Sequence, residues 1–233
     1  MIQGRQRHPV EEEKQPNFWA SYSDLMAGML LVFVLLLVIA LFHFAEFNEQ
    51  KEKILKAQEV RLKSFHELQK RLIGSLAEEM ADEPVELDPD TGMLRIGSGI
   101  LFGEGEAQLR PEGRQQLDKI FDAYIKVVLS EEFKDLVRQI EIEGHTNSNG
   151  TYLFNLQLSQ QRALTVMTEF LSRAGARSER LQQIVVAGGR SFAHLIRDAG
   201  GNEDPVLSRR IEIHLRLKES ELFQDIYKDL DTN

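Results

Sequence analysis

The longest uninterrupted apolar run lies near the start of the chain, where residues 18–45 read FWASYSDLMAGMLLVFVLLLVIALFHFA. From Leu25 to Phe42 no side chain carries charge. At helical rise that stretch spans about 27 Å, close to the thickness of a bilayer's hydrocarbon core. The pattern predicts a transmembrane helix with Trp19 and Tyr22 as interface anchors. A cleaved signal peptide is not expected, because the run is long and is followed by bulky Phe42, His43 and Phe44 and by charged Glu46 rather than by small residues. Lys and Arg occur on both sides of it, including Lys51, Lys53 and Lys56 beyond, so flanking charge does not set the orientation.

Residues 46–83 are rich in Glu, Lys, Gln and Leu, and Leu55, Leu62, Phe65, Leu72 and Leu76 recur at three-, four- and seven-residue spacings. This predicts an amphipathic helical linker continuing outward from the membrane. The pattern fits a two-stranded coiled coil, and equally a helix lying on the domain or on the membrane.

From Pro84 to Lys218 the pattern becomes that of a folded domain. Val85 to Leu87, the turn residues DPDTG and Met93 to Ile96 predict strand, turn and strand. Pro111 suits a first helical turn, and Leu117, Ile120, Phe121 and Tyr124 follow on one face. A short helix is expected over 131–137. Ile140 and Ile142 alternate with Glu141 and Glu143 before the loop GHTNSNG, which predicts a half-buried strand. A helix is expected from Leu158 to about Ala174, and a short strand from Ile184 to Ala187 ending in a turn at Gly188 and Gly189. Ile211, Ile213, Leu215 and Leu217 alternate with Glu212, His214 and Arg216, a clear strand. An order of the β-α-β-α-β-β type follows, with helices on one face of a mixed sheet, an α+β sandwich. Short polar tails are expected over 1–17 and 219–233.

Composition narrows the function classes. Cysteine is absent, which removes disulfides and thiolate metal sites. A formal charge of -9 and a pI near 5.3 argue against direct nucleic-acid binding. His43, His145, His194 and His214 show no HExxH or paired-ligand spacing, so no metal is assigned. No nucleophile, base and orienter set stands out, and no catalytic residue or cofactor is expected.

Asp24 is the one carboxylate in the apolar segment. A buried carboxylate at the centre of a membrane helix is costly and usually faces protein or a water-filled path, which makes Asp24 a candidate ion carrier. At a headgroup boundary the same residue could instead cap the helix. Ala27, Gly28 and Ser21 share its face, and small residues there let a neighbouring helix or water approach. Ser21, Tyr22 and Ser23 add hydroxyls as ion-path candidates.

The stretches ILFGEGEAQLRPEG, IEGHTNSNGTYLFNLQLSQQRA and LSRRIEIHL resemble, in order, the signatures of the OmpA-like peptidoglycan-binding domain. Preceded by a helix bearing WASYSDLMAGM, they resemble the B subunit of bacterial stator units, the flagellar MotB family and its relatives. The short N-terminal tail and the SYSDLMAGMLLVF pattern are most similar to the ZorB family of Zorya anti-phage systems. The resemblance implies a homodimer in the bacterial inner membrane, its N-terminus cytoplasmic and its linker and C-terminal domain periplasmic. It also implies a ring of five A subunits of the ZorA or MotA type around the dimer, and an Asp at position 24 that binds and releases a proton or sodium ion. Flagellar MotB and a passive membrane-to-wall tether are the alternatives. In the domain the implied ligand is the diaminopimelate residue of the peptidoglycan stem. Arg162 aligns with the family's carboxylate-binding Arg. Asn147 falls where the family has Asp, keeping an acceptor but losing a charge. Thr146, Asn155, Leu158 and Ser159 match the motif, and Arg209 and Arg210 match its final strand, one of the two expected to form a structural ion pair and the other to face ligand.

Overall fold

The computed structural model describes residues 18–175 and 178–218. The two expected tails, 1–17 and 219–233, lie outside the described residues. Helix α1 runs over Phe18–Glu79 without a break. Its N-terminal part belongs to the one described helix long and apolar enough to cross a membrane.

The chain divides into two units, the second beginning at Gln58. The hydrophobic pattern explains why a helix belongs to both. Leu55 is exposed, whereas Phe65, Leu72, Leu76 and Met80 are buried, and the last three join the core of the second unit. Of the readings open for the linker, its C-terminal half follows the one in which the helix lies on the domain. Polar contacts reinforce that packing at the surface, with Arg71 2.9 Å from Glu132, Glu79 paired with Lys126, and Glu83 bonded to Gln116.

The second unit continues with β1 (Glu86–Leu87), β2 (Leu94–Gly97), α2 (Ser98–Leu101), α3 (Pro111–Val128), β3 (Val137–Gly144), α4 (Tyr152–Arg173), α5 (Ser178–Ile184), β4 (Val185–Gly189), α6 (Pro205–Ser208) and β5 (Arg210–Leu217). The sheet order is β1-β2-β5-β3-β4, with β3 and β4 parallel and the other pairs antiparallel. The α+β sandwich expected from the pattern is the fold observed, with the opening hairpin supplying one strand more than the expected order counts. Leu117, Ile120, Phe121 and Tyr124 of α3 and Val166 and Phe170 of α4 are buried with Ile140, Ile142, Ile211 and Ile213 of the sheet. Phe170 packs edge-on against Phe121, ring centroids 4.8 Å apart.

Three local expectations are corrected. Residues 131–136 form successive tight turns rather than a helix, with Lys134 N bonded to Ser130 O and Leu136 N to Phe133 O. Only this short stretch separates α3 from Val137, where β3 begins. Helix α4 starts at Tyr152, six residues ahead of the hydrophobic signal, because the Thr151 hydroxyl accepts from Phe154 N as an N-cap. Gly188 and Gly189 lie inside β4 instead of forming a turn. There Gly189 pairs with Gly144 of β3, and the backbone of α4 crosses both. A Cβ on Gly189 would sit 2.5 Å from the Gln160 nitrogen, and one on Gly144 would overlap the Ser159 carbonyl. These glycines are required by close helix packing, not by turn geometry.

Candidate ligand cleft and the buried charges beside it

The ends of the central strands carry the loops that form a cleft. Ser98 N donates to Arg209 O, His145 N to Arg210 O and Thr146 N to Ser191 O, each at 2.9 Å, so the loops are extensions of the sheet ladder. Between them and the start of α4 lies a cleft of about 460 Å³, lined by Ser98, Phe102, Thr146, Asn147, Arg162 and Arg209 among others.

Arg162 projects from α4 and is only 4% exposed. Its Nε donates to Glu106 O at 2.8 Å and its Nη2 to Gly103 O at 3.1 Å, while the guanidinium lies 5.2 Å from the Phe102 ring centroid. Burial, and then the charge of Arg209, push its pKa down to about 10, so it remains a cation at neutral pH. Among the described residues no carboxylate pairs with it. Arg209 is half-buried, and its guanidinium makes no hydrogen bond or ion pair there either. Arg110 adds a third cation at the rim, bonded weakly to Gly99 O at 3.4 Å, and Glu104 is the one acid lining the cleft.

Neutral polar groups in the same cleft are also left over. The Ser98 and Thr146 hydroxyls are buried without a hydrogen-bond partner, and the Asn147 amide makes no bond to described residues. Buried polar groups are normally satisfied, so several orphans around uncompensated cations describe a surface complementary to an anion with further hydrogen-bonding groups. Asn155 lines the cleft but is occupied structurally, its amide donating to Asn149 O at 2.7 Å to hold the loop. Ser159 is likewise committed, accepting from Ser191 N at 3.0 Å.

Arg210 points elsewhere. Its Nε donates to Glu212 Oε1 at 2.6 Å and its Nη1 to the carbonyls of His194 and Ser208 at 3.1 Å. The adjacent arginines thus divide, Arg209 lining the cleft and Arg210 held in an ion pair within the sheet. Asp24 is the seventh residue of α1, beyond the first turn whose N–H groups lack intrahelical partners, and Ser21, Tyr22 and Ser23 precede it in the same helix. It is therefore not an N-cap.

The model of the OmpA family matches residues 101–205, a range containing Thr146, Asn147, Asn155 and Arg162. The chain is 30% identical over 212 residues to the Zorya protein ZorB of Escherichia coli, covering 86% of this chain and 88% of that protein. The chain belongs to the ZorB family. A ZorB from a second Escherichia coli strain is 27% identical, over 88% of this chain and 82% of that protein. Among solved structures, the cell wall anchor of the T6SS from Pseudomonas aeruginosa is similar at 24% identity, covering 64% of this chain and 99% of that one, with a TM-score of 0.46.

Two features of this ZorB-family domain were not singled out from the sequence. Glu104 lies between Gly103 and Gly105 and Arg110 lies just before Pro111, and only the fold brings both to the cleft that Arg162 lines. The second is a charge cluster next to the cleft. Glu143 of β3 lies directly opposite Glu212 of β5 in the antiparallel register, and Glu141 lies opposite His214. Like charges facing each other across strands repel, so counter-charges must lie near. Arg190 bonds Glu143, Arg210 bonds Glu212, and Arg95 approaches Glu212 at 3.4 Å. Burial opposes ionisation of Glu212, yet His145, His214 and Arg210 beside it hold its carboxyl well below the usual range. Glu143 is lowered too, burial again opposing and Arg190 prevailing.

Proposed function

We propose that this chain is the B subunit of an ion-driven inner-membrane motor serving anti-phage defence. Its periplasmic domain grips peptidoglycan, and Asp24 carries the ion through a path shared with a ring of A subunits around a dimer of this chain. It is not an enzyme. The observation that carries the anchoring half is the set of uncompensated cations and orphaned hydroxyls in one cleft, Arg162 and Arg209 beside Ser98 and Thr146. A zwitterionic amino acid with a free carboxylate, such as the diaminopimelate of a peptide stem, meets that requirement: the planar fork of Arg162 and the free cation of Arg209 take the carboxylate, and Asn147 and Glu104 offer acceptors for its ammonium group.

The motor half is supported by membership of the ZorB family and by the position of Asp24 inside an apolar helix. A carboxylate moving between a wet path and an apolar ring favours its neutral form and so can take up and release a proton, or sodium in its place. The decisive experiment expresses the intact operon with wild-type Asp24 or Asp24→Asn, and measures phage protection and motility at matched membrane abundance. Protection lost at normal abundance, with motility unaffected, is the expected result. Unchanged protection with Asp24→Asn would make the protein a passive tether, and a motility defect would make it a flagellar stator subunit.

A further inference from the structure

Arginines elsewhere in the domain have acidic partners: Arg71, Arg114, Arg173, Arg190, Arg210 and Arg216 each pair with a carboxylate. Arg110, Arg162 and Arg209 have no such partner among the described residues, and all three line the cleft. Glu104, the acid of the lining, pairs with none of them. Glu106 stands outside the lining, its carboxylate folded over Gly103. Three arginines against one glutamate leave the cleft with an excess of positive charge. A ligand end made of one carboxylate and one ammonium group is neutral and does not balance that excess.

The cations occupy two positions. Arg209 is close enough to Arg162 to help lower its pKa, so these two share one anion position at the base. Arg110 enters from the start of α3, where its guanidinium reaches only Gly99 O of α2, at a long 3.4 Å. One turn further along α3, Arg114 is by contrast engaged with Glu169 at 2.9 Å. Ser98 lies between the two positions: its N donates to Arg209 O, its chain neighbour Gly99 carries the Arg110 contact, and its hydroxyl has no partner.

From this distribution we infer that Arg110 forms a second carboxylate subsite, so that the cleft takes a peptide bearing two carboxylates for one ammonium group. The inference rests on the peptidoglycan reading and adds the second anion to it. About 460 Å³ is ample for such a ligand. A peptide stem can supply the second carboxylate from two sources: a γ-linked acidic residue beside the diamino acid, or the chain end of a stem trimmed to finish on the diamino acid. Amidation at either place removes the charge and turns an acceptor oxygen into an NH₂ group, which Arg110, a donor only, cannot bond. The cleft thereby distinguishes amidated from unamidated stems.

The test measures binding of a synthetic N-acetylated stem tripeptide, made of alanine, γ-linked D-glutamate and diaminopimelate, to the full-length chain in non-ionic detergent. Beside it are set forms amidated at the glutamate α-carboxylate, at the chain-end carboxylate, or at both, all keeping the free carboxylate and ammonium at the far end of diaminopimelate. Double amidation should weaken binding roughly 3- to 10-fold, the scale of one charge-assisted contact at a half-open rim. The single amides show which source supplies the anion. Arg110→Gln should weaken the parent peptide by a similar factor and the double amide no further, since changes to two partners do not add. Arg110→Lys, which keeps the charge, should restore most of the loss. The inference is overturned if the double amide binds wild type as tightly as the parent does, or if the effects of Arg110→Gln and amidation multiply. Should Arg110→Gln misfold, the amide series on wild type decides by itself. Failure of the parent tripeptide to bind wild type at all is a distinct result, which would overturn the peptidoglycan reading and this inference with it.

Discussion

Arg209 and Arg162 are both cations of the cleft, but substitution should separate them. Arg209 makes no side-chain bond among the described residues, so Arg209→Ala should leave the melting temperature within experimental error while lowering co-sedimentation of the protein with purified cell-wall sacculi several-fold. Arg162 also holds Gly103 O and Glu106 O, and Arg162→Ala should lose both binding and stability, leaving two carbonyls of the cleft wall without a donor. Glu212 makes a different, pH-dependent prediction. Its pKa is lower folded than unfolded, so its contribution is fully present above the unfolded value of about 4.3 and is lost as pH falls toward the folded one. The melting temperatures of wild type and Glu212→Gln should differ most near neutrality and begin to approach one another as pH falls below about 4. Which residues reach the cleft was legible only where a motif carried them. Thr146, Asn147, Arg162 and Arg209 were named from sequence and do line it, whereas Arg210 turns away because the pleat sends it into the sheet's ion pairs. The charge cluster of Glu143, His145, Glu212 and His214 forms no pattern along the chain, since strand register alone brings positions 143 and 212 together.

At the level of elements, alternation and helical periodicity were sufficient for β3, β5 and α3, whose apolar faces are complete. They failed where a backbone contact, not a side chain, decides. Gly188 and Gly189 look like a turn in any one-dimensional reading, yet Gly189 is in the sheet because α4 passes too close for a Cβ. Gly144→Ala and Gly189→Ala should each destabilise the domain by about 1–3 kcal/mol in urea titrations, as overpacking typically does. Gly99→Ala is the control, since nothing lies within 4 Å of its added methyl group, and it should be near neutral.

For the whole molecule, the instructive point is where the globular unit begins. Pro84 is a composition boundary, but Leu72 and Leu76, each fully buried, belong to the same core as the sheet. Periodicity revealed their apolar face and not what it packs against, because a coiled coil and a domain layer demand the same spacing. A fragment covering 58–218 should therefore unfold cooperatively in denaturant, while one covering 84–218 should bind hydrophobic dye and aggregate. Within the longer fragment Leu76→Ala should cost about 2–5 kcal/mol.

The double duty of Arg162 bears on how such a domain could diversify. A side chain that supports two carbonyls of the wall cannot be exchanged to adjust affinity without disturbing the wall itself. Adaptation to cell walls of different peptide chemistry would have to run through Arg110, Glu104, Asn147 and Arg209, which border the cleft and make few or no side-chain bonds of their own. Divergent relatives should thus vary along the rim while keeping the arginine at its base.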